Sequence, residues 1–251
     1  MNKYYVIGLL TILLFSCASP EKIIYFQEVE GVQVQDSLLN FEPKIQVGDI
    51  LGINVSAVDG VAALPFNLYE TPVLGNSISN SKPLTYLVDS DGQIQFPILG
   101  DLKVEGYTTK ELKTVLTTRI GEYIKQPTIN IRLTNFKVGV TGEVQKPGAY
   151  TIANGRISIL DAIILAGDLT IYGNRKNVLL IREQKGKRTF INIDLTNKEL
   201  FNSPYFYLAQ NDVLYVEPNK TRVNNSAVGA NTGVILSSVS ILISLVAILL
   251  N

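Results

Sequence analysis

Few side chains in this 251-residue chain are suited to making or breaking bonds. Histidine is absent, which removes Ser/His/Asp and Cys/His catalysis and histidine-based zinc sites. Cys17 is the single cysteine, so the chain has no internal disulfide and no cysteine-based metal cluster. Two carboxylate pairs stand out on paper for acid–base work on a sugar chain, Asp89/Asp91 and Glu143/Asp161. Nothing in the sequence sets either pair at the separation of about 5–10 Å that such work requires. Asp89-Ser90-Asp91-Gly92 opens like a calcium loop, but the closing glutamate is missing, and a hairpin turn is the better reading. The expectation is therefore no enzyme and no metal. Two features remain: the Cys17 thiol, and a line of small and hydroxylated residues near the C-terminus.

Cys17 follows a short apolar segment. Lys3 supplies a positive charge, Val6 to Phe15 form an apolar stretch too short to span a bilayer, and Leu14-Phe15-Ser16 leads into the cysteine. This resembles the bacterial lipobox, in which cleavage falls before the cysteine and the thiol carries a diacylglycerol. Residues 1–16 are expected to be a signal peptide and Cys17 the lipidation site, with no cofactor beyond that covalent lipid. Each buried methylene of an acyl chain contributes about 0.8 kcal/mol, so several chains on one residue anchor it firmly. Residues 17–40 are expected to form a lipidated tether, polar apart from Ile23-Ile24-Tyr25-Phe26.

The second feature lies within residues 219–251, expected to be a linker and a transmembrane helix. From Gly233 to Leu250 there is no charge and no proline. As a helix this run is roughly 27 Å long, close to the thickness of a hydrocarbon core. Ser226, Ala230, Gly233, Ser237, Ser240, Ser244, Ala247 and Asn251 recur at alternating steps of four and three, a heptad seam of small or polar residues. The remaining faces are aliphatic. Gly233, Ser237, Ser240, Ser244 and Ala247 are the candidate seam residues of the membrane helix. They either pack against a neighbouring helix or face a hydrated lumen, and the sequence does not choose between the two.

Between these ends lies a body with 22 basic and 22 acidic residues in the whole chain and 46% hydrophobic content. The balance gives no basic field for nucleic acid. Leu51, Ile53, Val55 and Ala57 alternate as a strand, and Asp59 to Pro83 reads as a long loop. Tyr86 to Val88 and Gln93 to Gly100 read as extended. Thr108 and Glu111 form a capping box, with Tyr107 and Leu112 at staple positions. Leu112, Val115, Leu116, Ile120 and Tyr123 make the helix's buried stripe, Pro127 stops it, and Thr128 to Leu133 is a strand. Further on, Lys137 to Val144 is a strand. Ser158 and Asp161 cap a second helix that ends at Gly167. Val178 to Arg182 and Thr189 to Leu195 flank a basic turn, Lys185 to Arg188, and Gln210 to Val216 closes the unit. The pattern is α+β, with one domain over 41–134 and another over 135–218.

The run Val88-Asp89-Ser90-Asp91-Gly92-Gln93-Ile94-Gln95-Phe96-Pro97-Ile98-Leu99-Gly100 resembles the signature of the polysaccharide export domain. The sequel Val104-Glu105-Gly106-Tyr107-Thr108, the helix ending near Tyr123, and Pro127 extend the likeness. Val140 to Val144, Pro147 to Tyr150, Ala166 to Thr170 and Asn211 to Val216 are similar to the soluble-ligand-binding β-grasp (SLBB) domain. The order of lipobox, export domain, β-grasp domain and terminal helix looks like a Wza-type capsule exporter, with one β-grasp copy where that prototype has more.

The resemblance implies a homo-oligomeric ring in the cell outer membrane, lipid-anchored, with its body in the periplasm and its terminal helices forming a barrel. It implies capsular polysaccharide or exopolysaccharide as the substrate. It also implies an inner-membrane co-polymerase, of the tyrosine-kinase-type chain-length class, as partner. A monomeric ligand-binding lipoprotein is the alternative; its expected mark is a cluster of exposed aromatics, and Tyr205-Phe206-Tyr207 is the dense group.

Overall fold

The computed structural model describes residues 24–27, 41–69, 83–184, 186–228 and 232–249. The first body is a sheet of β2 (Tyr86–Leu87), β1 (Ile50–Ser56) and β5 (Thr128–Leu133), in that order and antiparallel throughout. Leu51, Ile53 and Val55 turn inward at period two, and Ile129 and Leu133 do so on β5. Over this sheet lies α2 (Thr109–Gly121), begun by the expected capping box: the Thr108 amide donates to Glu111 Oε2 at 2.8 Å, and the Glu111 amide donates to Thr108 Oγ1 at 3.2 Å. Hydrogen bonds from the Thr108 amide and side chain to the charged carboxylate lower the Glu111 pKa.

The sequence reading needs four corrections in this body. Leu112, Leu116 and Ile120 are fully buried, but Tyr123 is exposed and Ile124 takes the inner place. The cause is that α2 ends at Gly121, before Pro127, and the chain turns under the Tyr123 ring, which meets Phe66 edge-on at 6.0 Å. Tyr107 is also exposed, although Leu112, its expected staple partner, is buried. The stretch after Asp59 is not wholly loop. Asp59 caps a single helical turn, α1 (Gly60–Ala63), followed by a 3₁₀ turn at Leu64–Phe66 that buries Phe66; residues 70–82 lie outside the described chain. Gln93 to Gly100 is not one extended run either. It folds back as β3 (Gln93–Phe96) and β4 (Gly100–Lys103), reversing at Pro97-Ile98-Leu99. Pro97 has no amide for a ladder, and Ile98 and Gly100 take positive φ, so extension ends there.

The second body is a five-stranded mixed sheet in the order β7-β6-β10-β8-β9. β6 is Lys137–Gly142, β7 Gly148–Thr151, β8 Gly173–Gln184, β9 Lys187–Ile193 and β10 Val213–Pro218. The central pair β6 and β10 is parallel, and the other pairings are antiparallel. Gly142 ends β6 at φ +90°; a Cβ there would sit 2.1 Å from the Val216 carbonyl oxygen, so the close approach requires glycine. Against the sheet packs α3 (Ile159–Leu165), opened by the expected Ser158/Asp161 capping box. It closes through Gly167 in a Schellman pair, with Asp168 N–H to Ile163 O and Gly167 N–H to Ile164 O.

The two bodies are joined without slack. β5 passes into β6 through Thr134-Asn135-Phe136, and Phe136 is fully buried. Asn135 reaches back into the first body, accepting from the Ile50 amide at 2.8 Å and donating to Gly48 O at 3.0 Å. Gln210 of the second body donates to Asn135 O and accepts from the Lys137 amide, both at 2.8 Å. The buried apolar residues of both bodies form one continuous core.

Each body launches a central strand with the same turn. Asp49 Oδ2 accepts the Gln46 amide at 2.8 Å, and Asp212 Oδ2 accepts the Ala209 amide at 2.7 Å. Gly48 and Asn211 supply the positive φ between them. The environments then differ. Asp212 is buried but gripped by Arg182, with Nη2 to Oδ2 at 2.6 Å. Burial raises the Asp212 pKa, and Arg182 opposes that rise. Asp49 is 1% exposed and its Oδ1 has no hydrogen-bond partner. Burial pushes its carboxyl up to about 6.

Two outcomes follow for stability, read by tyrosine fluorescence or circular dichroism during urea unfolding. The native Asp49 carboxyl binds its proton more tightly than the unfolded one, so its contribution is complete below about pH 4 and is lost as pH rises through about 6. Asp49→Asn should remove a stability decline of at most about 3 kcal/mol over that window. Arg182→Met leaves Asp212 buried without its cation and should cost roughly 3–5 kcal/mol, with Arg182→Met/Asp212→Leu recovering much of it.

Candidate functional site

The stretch from Gly167 to Arg175, the loop after α3 and the first residues of β8, receives the N-terminal segment and the start of the C-terminal helices. From the N-terminal side, Phe26 and Gln27 add to the second body as a short strand-like segment. Phe26 N–H donates to Leu195 O at 3.2 Å, and Gln27 N–H to Thr196 O at 2.9 Å. Tyr25 donates its hydroxyl to Asp168 Oδ1 and places its ring under the Arg175 guanidinium, 5.3 Å away. Its partial burial and the Asp168 charge raise the phenol pKa. Phe26 packs on Phe201 at 5.0 Å. The segment read from sequence as a free tether is thus docked at residues 25–27. Alternation was too short there to signal a strand, and the partners lie some 170 residues away in sequence.

From the C-terminal side, β10 runs into α4 (Lys220–Val228). Asn219 donates its amide to Tyr172 O at 2.7 Å and its side chain to Ile171 O at 3.2 Å. Arg222 bonds Glu143 Oε1 at 3.2 Å and stands 5.4 Å from the Tyr172 ring centre. Glu143 Oε2 also accepts from Thr170 at 2.8 Å.

Beyond α4 comes α5 (Thr232–Leu249), uncharged along its whole length. Among the described residues no helix is long and apolar enough to cross a membrane, so the expected terminal span stands outside what the structure establishes. Of the candidate seam, Gly233, Ser237, Ser240 and Ser244 are exposed residues of α5, and Ala247 lies on the same helix. Ser226 belongs to the separate helix α4. Ser237 donates to Gly233 O at 2.6 Å, Ser240 to Leu236 O at 2.9 Å and Ser244 to Ser240 O at 2.9 Å. Each hydroxyl proton is thereby used within the helix, leaving oxygen lone pairs outward. Val234, Leu236, Ile241, Leu242, Ile243, Leu245 and Ile248 are exposed on the other faces. Cys17 lies outside the described residues.

Three of the four carboxylates in the two pairs named from sequence are engaged in structural hydrogen bonds. Asp89 Oδ1 holds its own turn, accepting the Asp91 and Gln93 amides at 3.0 and 2.8 Å. Asp161 caps α3 and Glu143 is tied to Thr170 and Arg222. A cleft of about 270 Å³ opens between the bodies, lined by Phe41, Pro43, Thr109, Arg132, Asn154 and Arg156 among others. Glu42 is the one carboxylate on its lining. The aromatic group Tyr205-Phe206-Tyr207 is half-buried: Phe206 packs on Phe201, and Tyr207 lies flat on Phe41 at 5.3 Å and under Arg156 at 4.1 Å. It staples residue 41 to the second body and is no open binding platform.

Comparison with known proteins finds a match for each body. Residues 40–134 match the family model of the polysaccharide biosynthesis/export protein, and residues 136–216 match the SLBB domain. The first body is thus similar to a polysaccharide export domain and the second to an SLBB domain. The chain is 25% identical over 198 residues to the EPS I polysaccharide export outer membrane protein EpsA of Ralstonia solanacearum, covering 76% of this chain and 52% of that protein. It is 28% identical over 136 residues to the protein of the same name from Ralstonia nicotianae, covering 53% and 35%. It is 30% identical over 88 residues to the exopolysaccharide production protein ExoF of Rhizobium meliloti, covering 34% and 21%. The chain therefore spans about half the length, or less, of these relatives.

The docked N-terminal segment is testable by hydrogen exchange. Tyr25→Ala should raise exchange of the Phe26 and Gln27 amides by about tenfold or more while leaving the sheet amides of β8 and β10 protected. Tyr25→Phe, which keeps the ring over Arg175, should give a smaller rise.

Proposed function

We propose that this chain is a subunit of a polysaccharide export channel in the outer membrane, lipid-anchored at Cys17. The observation that carries this reading is the succession of export domain and SLBB domain over residues 40–216, followed by an uncharged helix. The names of the relatives support polysaccharide export and an outer-membrane setting. In this reading copies of the chain form a ring, and the run Gly233 to Leu250 crosses the bilayer in company with its copies. The absence of charge and proline from Gly233 to Leu250 is what favours this reading. The seam Gly233, Ser237, Ser240, Ser244 and Ala247 then lies between helices or along the lumen. Hydroxyls already bonded to their own backbone present weak acceptors, a surface along which a sugar chain slides without being held. The body lies in the periplasm and meets an inner-membrane co-polymerase, and no step of the process is catalytic. The rigid joint at Asn135 suits such a subunit, since it keeps both bodies in fixed relation around a ring.

Images of the detergent-purified chain should show rotational symmetry, and a chain truncated after Asn219 should lose assembly and export. A truncate that still forms rings and exports normally, or a full chain that is monomeric by native mass, overturns the reading.

A further inference from the structure

The stretch that receives the N-terminal segment and the start of the C-terminal helices also carries an apolar surface. Ile164 and Leu165, at the C-terminal end of α3, are 70% and 46% exposed, and Ile171, within the loop, is 66% exposed. These three aliphatic side chains lie within eight residues of one another, beside the attachment point of the N-terminal segment and the C-terminal helices. Of the charges beside them, Glu143 is paired with Arg222, while Asp168 and Glu217 keep their charge and accept hydrogen bonds from Tyr25 and Asn177. Lys146 and Lys220 are exposed. The Lys146 amide donates to Ala166 O at 2.8 Å, which places it against the turn, and Lys220 directly follows the docked Asn219.

Chain length decides what covers this surface. Eight residue steps separate Cys17 from Tyr25, a span of at most about 28 Å even fully extended. Tyr25 is fixed to Asp168, in the same loop as Ile171. A lipid on Cys17 therefore holds the Gly167–Arg175 loop close to the leaflet that contains it. The C-terminal segment leaves from the same loop through Asn219 and Arg222.

We propose that the surface bearing Ile164, Leu165 and Ile171 is a phospholipid-contacting face. Its aliphatic side chains enter the interfacial layer of the leaflet that holds the Cys17 lipid, and Lys146 and Lys220 meet phosphate groups there. The inference rests on the reading that Cys17 is lipidated and the chain membrane-bound, and it adds a third contact set on the folded body itself.

The test uses the full chain reconstituted in vesicles of phosphatidylethanolamine and phosphatidylglycerol. An environment-sensitive fluorophore is attached through Ile164→Cys, Ile171→Cys or, as a control on the first body, Leu87→Cys, which replaces a 63% exposed residue. Labels at 164 and 171 should emit to the blue of the label at 87 and be quenched by headgroup-proximal nitroxide lipids roughly twofold or more strongly. Equal quenching at all three sites, or full access of the 164 and 171 labels to aqueous iodide, overturns the proposal. Emission that changes only on dilution with unlabelled chain also overturns it, since a second copy then covers the face. Retention of the protein on carbonate-washed membranes is scored separately. If it is retained while the labels remain in water, the lipid face fails and the anchored-channel reading stands; if it is released, the anchored reading itself fails.

Discussion

The side chain of Asn135 and the side chain of Gln210 set the relation between the two halves of the molecule. Asn135 satisfies backbone groups at Gly48 and Ile50, and Gln210 satisfies backbone groups at Asn135 and Lys137. These are groups at the ends of strands, where a ladder stops and amides would otherwise be left without partners. Each amide side chain acts as donor and acceptor at once, so the connection is directional as well as tight. With Phe136 buried beside it, the joint has neither the length nor the exposure of a hinge.

The twin turns at Asp49 and Asp212 show what tertiary context does to identical local chemistry. Both carboxylates close a turn by accepting an amide three residues back, and both are removed from water. In the second body β8 carries Arg182 to the site, and its guanidinium offsets much of the burial cost. In the first body no described strand brings a cation to Asp49, and the charge there is resisted by its surroundings. The same turn is thus a fixed ion pair in one place and a proton-binding group in the other.

The Gly167–Arg175 loop connects fold to function. Its geometry comes from the Schellman end of α3 and the glycine crossing at Gly142, neither of which touches a ligand. Those backbone constraints bring Asp168, Thr170, Ile171 and Tyr172 to one edge, and that edge gathers the N-terminal segment and the base of the terminal helices. The placement of both attachments is made by this one stretch of chain.

Several features were determined by the sequence alone. The strands Ile50–Ser56 and Thr128–Leu133 follow from strict alternation, and the starts of both main helices from Thr108/Glu111 and Ser158/Asp161. Local hydrogen bonds within four residues decide such features, so no distant partner is needed to see them. The order of motifs was legible for the same reason. Only the tertiary structure decided that Gln93–Gly100 folds back, that Ile124 and not Tyr123 enters the core, and that Tyr25 is docked. The docking of Tyr25 depends on residues far apart in sequence, since Asp168 and Leu195 receive residues 25 and 26, and spacing along the chain carries no record of that meeting; the fold-back depends on positive φ at Ile98 and Gly100, which an apolar alternation does not reveal.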